Sequence, residues 1–445
     1  MEVLIQNFRN FLKRGAILLK KIKKALLSLA ASGLLLTGIS TWQAAPVAAA
    51  TANYQQQDLN LDVKAAIAVD ADSGQILYAK NATTPRQIAS MTKLVTVYLT
   101  LQAIKQGKLS WTSTSKPTAA IAKISQNTEY SNVPLTSSRA YTIKDLYRAT
   151  LIESANGAAM TLAQAVSGDQ VTFVKKMRKL LTSWGIKDAK IYNACGLANG
   201  NLGSAAYPGV GKDVENEMSA TDMAIVCQKL LKDFPEVLQT TSITSATFSS
   251  GSTQSQMTNW NWMLKGLSSY YSDLPVDGLK TGTTDKAGAC FAGTVKKNGH
   301  RIITVVLGAK HANSQDPSRF VQTAKLMHYV YQNYTAVTLK KGSSISGANT
   351  VKVPEGKETS SKVVLDKTVT IWAKQGSKLQ TSLSKTIVSA PVKNGSKVAS
   401  YKFSATSGKL PSLSGKTVTA PAVATQDNQE ANFFVRLWRS IFGSK

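Results

Sequence analysis

The sequence is poor in the residues that carry metal, redox and disulfide chemistry. Its 445 residues include three histidines and three cysteines. Cys195, Cys227 and Cys290 are scattered, odd in number and in no metal-ligand spacing, so neither a metal site nor a disulfide framework is expected. Cys227 falls in an apolar helical pattern and Cys290 in an apolar strand, the settings of small core residues. His300 follows a hairpin turn and His328 lies in a helical pattern, so with His311 they suit structural or solvated roles better than catalysis. No Gly-x-Ser-x-Gly turn occurs, which counts against a Ser-His-Asp hydrolase on an α/β sheet. Acidic side chains are scarce too: 25 Asp and Glu stand against 53 Lys and Arg, a formal net charge of +28. That imbalance selects for an anionic partner. Apolar residues make up 43%, ample for packed cores. The length suggests two or three domains.

Residues 1–50 read as an export signal. Arg9, Lys13, Arg14, Lys20, Lys21, Lys23 and Lys24 precede an apolar run at 25–39, and small residues at 44–50 suit cleavage after Ala50. The run is short for a bilayer span, and an uncleaved anchor is the alternative. Export argues against nucleic acid as the anionic partner and for wall polymers or an anionic membrane surface.

Past the leader, residues 65–79 read as a hairpin around Asp72-Ser73-Gly74. After Ser90, apolar residues recur at helical spacing: Leu94, Val97, Tyr98, Leu101 and Ile104. Ser90 and Lys93 then share one face of a helix start, with the helix dipole aimed at both. A serine hydroxyl is a weak nucleophile until a base takes its proton. Lysine can be that base when burial and nearby cations lower its pKa. The spacing alone is weak, since it recurs at Ser113/Lys116 and Ser382/Lys385. Its weight comes from two later triplets. Ser154-Ala155-Asn156 sits where two helices are expected to meet, and Lys280-Thr281-Gly282 occupies an expected strand at 276–283. Thr142 with Asp145, Asp169, and Ser219 with Asp222 read as helix caps. Residues 107–141 and 196–216 read as irregular. Strands are expected at 289–297 and 301–309 around Asn298-Gly299, then a helix opened by Asp316-Pro317 and ending near Tyr334.

In this order the three motifs resemble the penicillin-recognising serine enzymes. Their surroundings, Pro85-Arg86-Gln87-Ile88-Ala89 before Ser90 and Thr283-Thr284-Asp285-Lys286-Ala287-Gly288 after Gly282, are similar to those of the D-alanyl-D-alanine carboxypeptidases, the low-molecular-weight penicillin-binding proteins. The resemblance covers most of the chain between leader and tail. It implies an α+β fold: a transpeptidase/β-lactamase-like domain over 51–340, an antiparallel sheet flanked by helices, followed by a small all-β sandwich-like domain over 341–420. It implies Ser90 as nucleophile, Lys93 as base and Ser154 as proton relay. Asn156 would hold Lys93 and the substrate carbonyl. Lys280 would add positive potential, Thr281 would donate to the substrate carboxylate, and Gly282 would let the substrate backbone approach. The amides of Ser90 and Thr283 would form the oxyanion hole, with Arg319 a further cation for the carboxylate. No metal or cofactor is implied. The implied partners are the peptidoglycan stem peptide and β-lactam antibiotics, and the implied reaction is removal of the terminal D-alanine through a Ser90 acyl-enzyme. A β-lactamase would need a carboxylate to activate water, and no suitable Glu-containing loop follows Ser154. An endopeptidase or transpeptidase on this fold differs in cleft shape. A non-catalytic wall-binding or penicillin-sensing protein has no need of the intact set. Ala155 departs from the family's usual glycine, with its side chain expected to point away from the chemistry.

The tail changes character. Short β-type runs separated by Gly, Ser and Lys fill 342–420, and residues 421–430 read as a polar linker. In 431–445, Phe433, Phe434, Leu437, Trp438 and Ile441 fall on one helical face, with Arg436 and Arg439 on the other and Lys445 at the end. A basic amphipathic helix of this composition is expected to lie on an anionic membrane surface, the β-rich domain serving as a pedestal.

Overall fold

The computed structural model describes residues 59–442; the expected export signal and Lys445 lie outside the described residues. β1 (Val63–Asp70) and β2 (Ile76–Lys80) form the expected hairpin. Its turn is closed by Asp70 Oδ2, which accepts from Ser73 N at 2.7 Å and Ser73 Oγ at 2.6 Å. The hairpin joins β3 (Val276–Thr284), β4 (Gly288–Lys297) and β5 (His300–Ala309) in one sheet, ordered β2-β1-β5-β4-β3 and antiparallel throughout.

Both faces of this sheet are covered, so β1 reads as a continuous apolar run rather than an alternation. Ala65, Ile67 and Val69 face one core while Ala66 and Ala68 face another. The first core is shared with α1 (Lys93–Lys105), α3 (Ile143–Leu151), α4 (Asn156–Ser167), α5 (Gln170–Ser183) and α6 (Ala220–Asp233). The second is closed by α7 (Ser318–Asn333), through Phe320, Met327 and Val330. The expected caps are present: Thr142 accepts from Asp145 N, Asp169 accepts from Thr172 N, and Ser219 with Asp222 completes a capping box. Two details differ. Pro317 occupies the cap position of α7, with Asp316 Oδ1 accepting from Ser318 N at 2.9 Å. Within the segment read as irregular lies α2 (Ala119–Ser125), capped by Thr118 and too short for its periodicity to register.

The β-rich part begins earlier than residue 341. β6 (Tyr334–Leu339) leaves the end of α7 directly and pairs with β9 (Val369–Lys374). The remaining longer strands are β7 (Thr350–Lys352), β8 (Ser360–Leu365), β10 (Leu379–Leu383), β11 (Lys397–Ala405) and β12 (Thr419–Ala424), ordered β7-β8-β12-β11-β10, with the two-residue strand Gly408–Lys409 paired to β11. Val363, Ile371, Tyr401, Phe403 and Ala420 belong to their shared core. The expected linker at 421–430 is not one. Residues up to Ala424 complete β12, between β8 and β11. Asn428 is buried, and its side chain donates to Glu358 O at 2.8 Å and Ser361 Oγ at 3.1 Å. Polar composition suggested solvent, but these polar groups are spent on partners distant in sequence.

The turn of the β1–β2 hairpin is keyed into the β-rich part. Trp372 Nε1 donates to Asp70 Oδ1 at 2.8 Å, and Gln75 bonds the Trp372 main chain in both directions, at 2.7 and 2.9 Å. Tyr334 OH donates to Leu77 O at 2.9 Å, and Ile76 N donates to Pro411 O at 2.8 Å. Trp372 packs into the core under α7. α8 (Phe433–Phe442) ends the described chain with Phe433, Phe434, Leu437, Trp438, Ile441 and Phe442 all exposed. Its polar side is held down: Arg436 pairs with Glu430, and Arg439 donates to Gly356 O at 2.6 Å and Lys357 O at 3.2 Å. Arg436 and Arg439 are therefore engaged with protein, where the sequence had suggested lipid. Among the described residues no helix is long and apolar enough to cross a membrane.

Candidate active site

Ser90 lies in a single 3-10 turn, Ala89–Thr92, that runs into α1. This places its hydroxyl beside the side chain three residues on, as the spacing requires. The preceding Ala89 has φ 46°, and Ser154 has φ 64°. Left-handed backbone at non-glycine residues costs on the order of 1–3 kcal/mol and marks a site whose surroundings hold it in place. Ser90 is partly open to solvent, whereas Lys93 is 0% exposed. The competing pairs look different: Lys116 and Lys385 are exposed.

Lys93 Nζ has three oxygen partners, each at 2.7 Å: Ser90 Oγ, Asn156 Oδ1 and Cys195 O. Burial lowers its pKa to about 8, against an opposing effect of Cys195. Asn156 opens α4, and its Nδ2 donates to Ser131 O at 3.0 Å, which points Oδ1 at the lysine. Ser154 is buried at the junction of α3 and α4. Ala155 has φ −58° and its methyl sits in the core, so alanine is accommodated there without strain.

β3 brings the third motif to the same place. A Cβ at Gly282 would lie 2.7 Å from Ile88 O, 3.0 Å from Ser90 N and 3.1 Å from Met91 N. Gly282 is therefore required by the chain's own close approach to the Ser90 turn, a reason for glycine that stands beside the expected approach of substrate backbone. Lys280 is buried, its Nζ donating to Thr281 O at 3.1 Å. Burial, and the cations of Lys93 and Arg319, push Lys280 well below the ordinary lysine range, with Glu153 opposing. Arg319 reaches from α7, and its Nη1 donates to Gly282 O at 3.1 Å and Cys290 O at 3.3 Å. Thr283 is exposed at the sheet edge, and the next residue is anchored where Thr284 Oγ1 donates to Glu215 Oε2 at 2.7 Å.

Sequence reasoning missed Cys195, whose contribution is a carbonyl that any residue could supply. It also missed Glu153, which accepts from Thr258 N at 2.9 Å and whose carboxyl burial pushes up. Ser131 and Glu153, with Tyr130, Asn132 and Trp260, line a cleft of about 450 Å³ beside Asn156. The cysteines are free and buried, and no group of three or more His, Cys, Asp or Glu among the described residues is placed to hold a metal.

A serine and a buried lysine at a helix start, faced by a Lys-Thr-Gly strand at the edge of an antiparallel sheet, define a penicillin-recognising serine enzyme. Residues 50–311 match the D-alanyl-D-alanine carboxypeptidase family, and the chain belongs to it. It is a serine-type carboxypeptidase. The chain is 27% identical over 415 residues to the D-alanyl-D-alanine carboxypeptidase DacF of Bacillus subtilis, covering 92% of this chain and 96% of that one. Among solved structures it is similar to a peptidoglycan synthesis regulatory factor, PBP3, of Streptococcus pneumoniae, with TM-score 0.71, 37% identity, and 83% of this chain and 100% of that one covered. Penicillin binding protein 5 of Haemophilus influenzae superposes with TM-score 0.66 at 25% identity, covering 83% and 98%.

Proposed function

We propose that the protein removes the terminal D-alanine from peptidoglycan stem pentapeptides through an acyl-enzyme on Ser90, with Lys93 as the base. The observation that carries this reading is the buried Lys93 amine, 2.7 Å from Ser90 Oγ with its pKa lowered to about 8. A fraction of the lysine is neutral at neutral pH and can take the Ser90 proton as Oγ attacks the D-Ala-D-Ala carbonyl. The carbonyl oxygen becomes an oxyanion between the Ser90 and Thr283 amides, where loss of one donor typically costs about 2.7–4 kcal/mol. The proton returns to the departing D-alanine amine by way of Lys93 and Ser154, and water then hydrolyses the ester. The substrate carboxylate is held by Thr281, with Lys280 and Arg319 supplying potential. Burial and the neighbouring cations disfavour the charged form of Lys280, and a substrate carboxylate favours it. The cleft lined by Ser131 and Glu153 has room for the body of the peptide. A β-lactam, whose strained amide imitates the scissile bond, acylates Ser90 in the same way and leaves slowly.

The site of action that accompanies this chemistry is the outer face of the cytoplasmic membrane, with export by the 1–50 leader. α8 supports the membrane reading in an altered form. Its arginines dock it on the β-rich part, so the exposed Phe433, Phe434, Trp438 and Phe442 face outward for insertion. Attraction to anionic lipid or wall polymer falls to the exposed lysines of the β-rich part, at about 1 kcal/mol per cation near a membrane.

The test is incubation with a peptide ending in D-Ala-D-Ala, following D-alanine release, together with mapping of a fluorescent penicillin adduct. Release by the native protein and an adduct on the Ser90 peptide are expected. Full labelling of Ser90→Ala, or an adduct on Ser113 or Ser382, overturns the assignment.

A further inference from the structure

We infer that Asn193 and Asn216 form a two-amide clamp that aims the Lys93 lone pair at Ser90, making both of them positioning residues for proton transfer. The inference rests on Lys93 being the base. A neutral lysine amine has two N–H bonds and one lone pair. Two of its three partners, Asn156 Oδ1 and Cys195 O, can only accept. When each takes one N–H, the lone pair is left facing the Ser90 hydroxyl, which is the orientation a base needs. The placement of the Cys195 carbonyl therefore decides whether the lysine can act.

Asn193 builds the turn that carries this carbonyl. Its Oδ1 accepts from Cys195 N at 3.1 Å and Gly196 N at 2.6 Å, and its Nδ2 donates to Leu197 O at 2.8 Å. Gly196, at φ 90°, closes the turn against the nucleophile's neighbour: a Cβ there would lie 2.0 Å from Ala89 O. Asn216 ties the same turn to both sides of Ser90. Its Oδ1 accepts from Tyr192 N at 2.7 Å, and its Nδ2 donates to Asn193 O at 2.9 Å and Thr92 Oγ1 at 3.0 Å. Its main-chain carbonyl accepts from Ile88 N at 3.1 Å. Both asparagines are almost wholly buried. Their amides are spent on holding two segments of backbone in register, and the product of that register is the position of one oxygen. The other ionisable groups acting on Lys93 are the Cys195 thiol in this turn and Lys280 on β3, which is in turn influenced by Arg319 and Glu153.

The rate of acylation by a fluorescent penicillin, followed against pH in two variants, tests the clamp. In Asn193→Ala the carbonyl is released, and the plateau rate is expected to fall about 10- to 100-fold, the scale of a small misplacement of a reacting group. Its pH midpoint is expected to move below about 8, because the ammonium form loses an acceptor. Asn193→Asp keeps an acceptor facing the two amides but adds a carboxylate near the lysine, so the midpoint is expected to move above about 8. Opposite displacements are not what loss of packing alone produces. A folded Asn193→Ala with native midpoint and plateau overturns the clamp, and so does a native midpoint in Asn193→Asp should the alanine variant fail to fold. Near-native acylation by Lys93→Arg would instead remove Lys93 as base, so the two failures are distinguishable.

Discussion

Lysine does different work in the two halves of this chain. Between β1 and α7, Lys93 and Lys280 are buried, deprived of water and held by fixed oxygens. In the β-rich part the lysines from Lys340 to Lys416 lie at the surface, only Lys374 being half-buried. Burial turns a lysine from a solvated point charge into a group whose proton can be moved. Exposure keeps the charge, which then acts only over roughly the 8 Å screening length of physiological salt. Backbone strain divides the same way. Among the described residues, the non-glycine residues with positive φ all precede the β-rich part, and two of them, Ala89 and Ser154, belong to or adjoin the site motifs. The net charge of +28 therefore says little about catalysis; the few cations that lost their water say most.

The contrast breaks first at Lys93. Lys93→Arg keeps the charge but installs a group that does not deprotonate. Penicillin acylation is expected to fall by about 10²–10⁴-fold, the usual worth of a general base, in a protein that still melts cooperatively. The same exchange at the exposed Lys402 is expected to leave acylation unchanged. Comparable losses from both exchanges would end the distinction.

The two parts meet at Trp372, and its removal tests whether they are one structure. Trp372→Ala deletes a buried ring and leaves Asp70 Oδ1 without its indole donor, while the bonds of Gln75 to the Trp372 main chain remain. A loss of about 3–5 kcal/mol is expected from the cavity alone. In denaturant unfolding, the transition of the catalytic sheet should move together with that of the β-rich part. If only the β-rich transition moves, the Trp372 ring and its bond to Asp70 are not what stabilises the hairpin.

A smaller and graded effect comes from pH. Because burial lowers the Lys93 pKa, the ammonium form dominates below about 8 and the base form above it. The acylation rate should rise about tenfold per pH unit up to that midpoint and then level off. A flat profile across neutral to alkaline pH would mean that proton removal by Lys93 does not limit acylation.

What could be read from sequence follows the same division between side chain and backbone. Ser90, Lys93, Asn156 and Lys280 are legible through the order of three motifs and their family resemblance, and the structure places Ser90 and Asn156 on Lys93, with Lys280 near enough to feel its charge. The packing reason for Gly282 is not legible, because nothing in one sequence shows the close approach of Ile88 and Ser90. Cys195 was invisible as a partner of Lys93 because it contributes a carbonyl. The strands of the main sheet declared themselves by apolar content and the Asn298-Gly299 turn. The segment at 421–430 did not, because its polar residues pair with Val392 and Gly356, far away in the chain.

α8 is where removal should cost the chemistry least. Truncation after Asn432 keeps Ala431, which is buried and whose N–H donates to Glu355 O at 2.8 Å, so the β-rich part retains its closing contact. It deletes a helix with no buried residue, and with it the exposed aromatic face and the Arg439 contacts to Gly356 and Lys357. D-alanine release from a soluble peptide should match the protein with α8 intact, because no group of α8 is among the contacts of the Ser90 site. Co-sedimentation with vesicles containing anionic lipid should fall sharply, since burial of the Phe and Trp side chains is the main gain on insertion. Substituting Phe434 and Trp438 together with serine should weaken sedimentation as truncation does, while leaving the arginine contacts to hold the helix in place. Full retention on vesicles by both variants would assign membrane attachment to the surface lysines alone, and a loss of peptide turnover on truncation would show that α8 supports the fold it rests on.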